Sequence, residues 1–228
     1  MIKFEHVVLP SPEQMEFIIE GMRNPLESWG KSDSYITKIV DSETLEEKPF
    51  EFFMGDDDSK LALGLSIFGT DHRKFIRMIP VMVRITAPLY WWKEFDTYKI
   101  GTVANSCSTM HKLHCRDLTL DDFSHEHLIR YCQNSVEVLE NTIQCINLYR
   151  NLYIDTKNKV YWWQMIQLLP SSYNQTRNVV LNYEVLANIY KGRNKHKLDE
   201  WRAMCQWIET LPWSFIITEN TSGGQQID

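Results

Sequence analysis

HRKFIRMIPVMVRITAPLYWWKEFDTYKIGTVANSCSTMH, residues 72–111, sets an apolar strand, a pair of tryptophans and a small-residue polar loop in unbroken succession. Residues 79–88 are rich in β-branched and apolar side chains and are bounded by Pro80 and Pro88, the pattern of a half-buried strand. Residues 90–97 then mix Trp91, Trp92 and Phe95 with Lys93, Glu94 and Asp96, which predicts a helix along the wall of a cavity. Residues 101–110 offer hydroxyls from Thr102, Ser106, Ser108 and Thr109 and a thiol from Cys107 on short side chains. Such a loop lets a ligand approach the backbone closely, which makes 72–111 the predicted binding segment.

Upstream, residues 3–9 read as a strand. Ser11, Pro12 and Gln14 read as the start of a helix, with Ser11 capping and Gln14 reaching back. Met15, Ile18, Ile19 and Met22 fall on one face of that helix and are expected in the core. Residues 23–50 read as an irregular, solvated loop carrying Asp41, Glu43, Glu46 and Glu47. Residues 58–68 read as a short helix ended by Gly69, with Asp71 capping the next turn. Downstream, a loop over 112–123 leads to a long amphipathic helix capped by Ser124, its apolar face being Leu128, Cys132, Val136, Leu139, Ile143 and Ile146. Helices are predicted over 159–169, 177–190 and 196–210, with the basic run 191–195 between the last two, and 220–228 reads as a frayed tail.

Length and composition favour one domain over 1–219. At net charge −6, with no basic block, the electrostatic footprint of a nucleic-acid binder is missing. No apolar run reaches the roughly 18 residues of a membrane span. The acidic, short-flanked N-terminus does not read as a signal peptide, so a cytoplasmic protein is expected. Five cysteines without a CxxC pair fit reduced thiols.

Three constellations carry chemical potential. Cys107, His111, His114 and Cys115 have zinc-binding types, but their spacing matches no common structural site, and no metal is expected. Cys107 alone reads either as a nucleophile, activated by a cation such as Lys99, or as an inert buried thiol. Asn182 and Arg193, eleven residues apart, share a face of a continuous helix, with Leu186 and Ile189 between them. Arg193 then reads as an anion contact or as an ordinary arginine favoured by a helix C-terminus.

The chain resembles the flavin-dependent thymidylate synthases, the thymidylate synthase-complementing proteins. His72 falls on that family's Gly-His histidine, Pro88 on its strand-ending proline, and Lys93-Glu94 on its Arg-Gln. The signature Arg-His-Arg-x-x-Ser-x-Asn-Glu-x-Ser-x-Arg-Tyr falls on 97–110. There Lys99 and Thr102 are conservative, Asn105 replaces the glutamate, Cys107 replaces the serine, and Thr97 and Thr109 replace the outer arginines. Leu169-Pro170, Asn182, Leu186, Asn188 and Arg193 hold the family spacing, and 211–215 is similar to the closing Pro-Trp-Thr-Phe.

The resemblance implies an α+β fold, a small mostly antiparallel sheet packed by long helices, in a homotetramer. It implies a methyl or one-carbon transfer to C5 of a pyrimidine deoxynucleotide such as dUMP, with FAD as cofactor and NADPH and methylene-tetrahydrofolate as co-substrates. His72, Lys99, Thr102, Asn182 and Asn188 would then contact the cofactor, Lys93, Glu94, Asn105 and Arg193 the substrate, and Cys107 would be catalytic. Cys107 could alternatively attack pyrimidine C6 without flavin. The non-enzymatic alternative is a nucleotide-binding or regulatory protein on the same scaffold.

Overall fold

The computed structural model describes residues 1–40, 47–69, 71–132 and 134–219. Its strands are β1 (Lys3–Val8), β2 (Tyr35–Val40), β3 (Glu47–Phe53), β4 (Pro80–Pro88), β5 (Val103–Ser106) and β6 (Asn174–Asn182). The helices are α1 (Pro12–Arg23), α2 (Asp56–Phe68), α3 (Leu89–Phe95), α4 (Ser135–Thr156), α5 (Lys159–Leu168), α6 (Tyr183–Arg193), α7 (Asp199–Glu209) and α8 (Phe215–Thr218). Helices with a small sheet of order β1–β4–β6–β5, plus the antiparallel hairpin β2–β3, give the expected α+β class. The chain divides into two compact units, Met1–Glu5 with Arg84–Lys99 and Ala104–Val179, and His6–Val83 with Ile100–Val103 and Val180–Asp228.

In the first unit, Trp91, Trp92 and Phe95 of α3 are buried, their ring centroids 4.9–5.2 Å apart. Three large rings on one short helix have more to gain from mutual burial than from lining a cavity, so α3 is a core element rather than the predicted wall. A second cluster joins Leu139, Ile143 and Ile146 of α4 to Met165 of α5 and to Leu113, Leu118 and Phe123 of the preceding loop. The Asn147 side chain pins that loop, accepting from Leu118 N and donating to Leu118 O at 2.9 Å each.

The predicted start of α4 at Ser124 is displaced. Asn134 caps the helix through Glu137 N, and Ser124 instead donates to Asn174 at 2.9 Å. Leu128 and Cys132 therefore precede the helix and are exposed, while Val136, Leu139, Ile143 and Ile146 form its buried stripe.

In the second unit, Ser11 and Gln14 form the predicted capping box of α1, and Met15, Ile18, Ile19 and Met22 are buried. The stretch read as an irregular loop instead holds β2 and β3, paired with Ile36 opposite Phe52 and Thr37 opposite Glu51. Asp41, Glu43 and Glu46 lie outside the described residues, as does the predicted tail, and the Glu47 side chain is likewise not described. Arg23 and Asp58, both buried, form an ion pair at 2.5 Å, and Ser32 and Ser34 donate to the same carboxylate at 2.6 Å. That network ties the segment between α1 and β2 to the first turn of α2. Asp71 does not cap the turn Lys74–Met78, which has no side-chain cap.

Residues 177–182, read as helix, are strand. Val179, Leu181 and Gln175 face inward with a period of two, and the helix begins only at Tyr183. Likewise 103–106, read as loop, is the strand β5.

Candidate functional site

In the second unit Asn182 and Asn188 lie at the first two turns of α6. Asn182 is its N-cap, with extended backbone, and its Oδ1 accepts from Val185 N at 3.0 Å. Asn182 is thus outside the helix, and the continuous-helix arithmetic that joined it to Arg193 fails. Gly101 lies against this cap at φ +80°, where an added Cβ would come within 2.8 Å of Asn182 Nδ2 and 3.3 Å of Val185 Cγ2. Only glycine permits both that backbone conformation and that approach. The next residue, Thr102, has a shielded hydroxyl without a hydrogen-bond partner.

The other side of the cluster is built by a pair that sequence reasoning missed. Arg73 Nη2 donates to Glu184 Oε1 at 2.9 Å and to Asn188 Oδ1 at 3.2 Å. The pair is largely shielded, and Arg73 Nε and Glu184 Oε2 are buried without a hydrogen bond. Its partners lie 111 residues apart, so no local pattern signals it. His72, one residue before Arg73, is exposed, its ring 5.9 Å from that of Phe68.

Arg193 sits at the opposite end of α6, eleven residues or roughly 16 Å from the cap. Its guanidinium stacks on the buried Trp201 ring at 4.7 Å. Asn182 and Asn188 thus lie at the start of α6, the one beside Gly101, the chain neighbour of Thr102, and the other bonded to Arg73, the chain neighbour of His72, while Arg193 stands apart from them.

The first unit holds the rest. Lys93, Lys99, Asn105 and Cys107 are exposed and Glu94 is half-buried. Cys107 is anchored by its backbone: its N–H donates to Thr176 O at 2.9 Å and its carbonyl accepts from Gln175 Nε2 at 2.7 Å. Gln175 is another residue the sequence did not flag, because its role depends on pairing between β6 and the loop after β5. An exposed Cys107 thiol excludes the buried-thiol alternative; the inert buried thiol is Cys205. His111, His114 and Cys115 do not gather with Cys107. Among the described residues no group of three or more His, Cys or acidic side chains is placed to hold a metal.

A cleft of about 560 Å³ in the second unit is lined by Leu9, Pro12, Phe52, Met54, Trp213 and neighbouring residues, none of them a predicted site residue. No helix among the described residues is long and apolar enough to cross a membrane.

Two solved structures of thymidylate synthase X (ThyX) from Helicobacter pylori, each with FAD and dUMP, align with 96% of this chain and 98% of their own at a TM-score of 0.63. The fold is that of ThyX. Identity in both alignments is 15%, so the likeness to ThyX is one of fold. No protein-family model matches the chain, and no curated protein matches it.

Proposed function

We propose that this chain is a diverged ThyX-like enzyme that acts on a pyrimidine deoxynucleotide with a bound flavin, transferring a one-carbon unit to C5. One observation carries the reading: nearly the whole chain superimposes on nearly the whole of a protein solved with FAD and dUMP. The edge of a flavin ring alternates hydrogen-bond donors and acceptors, the kind of partner that hydroxyl and amide side chains can meet. Thr102 has an unpartnered hydroxyl, and Asn188 is exposed beside Arg73. His72, Thr102, Asn182 and Asn188 would hold the ring, with Lys99 as a cationic contact. When bound, a flavin would relay reducing equivalents from NADPH to the one-carbon unit delivered by methylene-tetrahydrofolate.

Lys93, Glu94, Asn105 and Arg193 are assigned to the nucleotide and Cys107 to its reacting base. The Trp201 ring, 4.7 Å from the Arg193 guanidinium, restrains it, which reduces the rotamer freedom lost when it binds an anion. The test is to supply FAD, dUMP, methylene-tetrahydrofolate and NADPH and measure thymidylate by mass. Thymidylate formation is expected; its absence together with absence of nucleotide binding would overturn the reading. A specific observation favours one second reading, a nucleotide-binding protein without turnover. Asn182 Oδ1 and Asn188 Oδ1 already take protein donors, and Thr97 and Thr109 stand where the resemblance places arginines. Nucleotide binding without thymidylate would select it.

A further inference from the structure

The inward face of β6 carries Gln175, Arg177, Val179 and Leu181, so a cation occupies a position where the strand's alternation calls for an apolar side chain. Burying it is costly unless its charge and donors are met, and the surroundings of Arg177 meet only some of them. The guanidinium lies 4.1 Å from the centroid of the Trp92 ring, which is itself buried. Arg177 Nε donates to Gln175 Oε1 at 3.0 Å, and Nη1 donates to Asp96 Oδ1 at 2.7 Å.

Gln175 is the keystone of this arrangement. It is buried, its amide nitrogen donates to Cys107 O at 2.7 Å, and its backbone carbonyl accepts from Trp92 Nε1 at 3.0 Å. One side chain thus fixes the arginine, and the same residue fixes the aromatic platform and the backbone that carries the exposed Cys107 thiol.

A guanidinium has five N–H donors. Two are used here, which leaves three. Nη2 has no hydrogen-bond partner among the described residues and is not sealed from solvent. The Arg177 side chain is 15% exposed and that of Asp96 52% exposed, so the ion pair between them is open to water on the Asp96 partner. A purely structural arginine would spend its donors on the protein; this one is held over the Trp92 ring by two of its donors, with Nη2 unspent.

We propose that Arg177 is a preorganised seat for a phosphate monoester, held by Trp92 and Gln175 and modulated by Asp96. Planar N–H donors on a fixed guanidinium match tetrahedral oxyanions in geometry and charge. Asp96 competes with the incoming anion, and its displacement opens the Nη1 donor beside the free Nη2. The identification of the phosphate as that of a pyrimidine nucleotide rests on the function proposed above; the seat itself does not.

The test follows 31P relaxation of inorganic phosphate, and calorimetric titration with dUMP and with deoxyuridine, for the wild type, Arg177→Gln, Arg177→Lys and Asp96→Asn. Phosphate binding should weaken about tenfold or more in Arg177→Gln, the loss of a charge-assisted hydrogen bond. It should be partly retained in Arg177→Lys. In Asp96→Asn it should tighten about 1.5- to 5-fold, as removing one exposed ion-pair partner predicts and a structural role for Arg177 does not. If Arg177→Gln does not fold, Arg177→Lys and Asp96→Asn decide. Phosphate binding that is absent in the wild type, or unchanged across the variants, overturns the seat. Phosphate binding as expected with dUMP bound no more tightly than phosphate keeps the seat and removes the nucleotide.

Discussion

At the scale of single residues, the two informative cysteines are opposites. Cys107 is exposed on a loop held by backbone hydrogen bonds, so its side chain contributes little packing. Cys107→Ser should therefore lower the melting temperature by no more than a few degrees while abolishing turnover if the thiol takes part in the chemistry. Turnover at the wild-type rate would leave the thiol as lining. Cys205 is buried in α7, and burial first, then the Glu209 carboxylate, pushes its thiol from an ordinary value of 9.0 up to about 11. The folded state then keeps a proton that the unfolded chain releases, so the stabilisation is complete below pH 9 and declines as pH rises toward 11. The melting-temperature advantage of the wild type over Cys205→Ala should shrink across that window, and an advantage constant with pH would contradict this assignment. Neither environment was legible in the sequence, since a cysteine's neighbours in the chain do not report its burial.

At the scale of elements, sequence periodicity located most helices and failed where the chain changes from one repeat to another. The capping box of α1 and its buried stripe were readable because every participant is local. The β6–α6 junction was not. Residues 177–181 carry a run that suits strand or helix, and the deciding partners, Thr86 against Thr176 and Arg84 against Asn178, come from about ninety residues away. Asn182 carried the missing signal, because asparagine before an apolar helical repeat is a common N-cap.

The two ends of α6 should consequently respond differently. Asn182→Ala removes a cap and should cost about 1 kcal/mol of stability. Arg193→Ala loses a cation–π contact with Trp201 worth about 0.5–1 kcal/mol, but should cost roughly 2–3 kcal/mol of dUMP binding. Thermal melts and calorimetric titrations of both variants check this. Intact dUMP affinity in Arg193→Ala would make Arg193 a structural residue.

At the scale of the whole molecule, the fold class was legible in the sequence and the site only in pieces. Asn182 and Asn188 lie at the start of α6 together with Gly101, Arg73 and Glu184, whose long-range contacts no spacing rule anticipates. The homotetramer implied by the resemblance is a prediction at this scale. Val138 and Leu148 are exposed apolar residues on α4, and a second copy could cover them. Light scattering at micromolar concentration should give four times the 27.0 kDa chain mass, and a monomer mass would remove any site shared between copies.

A flavin held at the start of α6, as proposed, would give an absorbance that dUMP binding perturbs. The most direct measurement is the absorbance of the purified protein after incubation with FAD and removal of the excess, before and after adding dUMP. A retained band at about 450 nm, shifted or sharpened by dUMP, is the predicted result. A colourless protein that binds neither FAD nor dUMP would contradict the account.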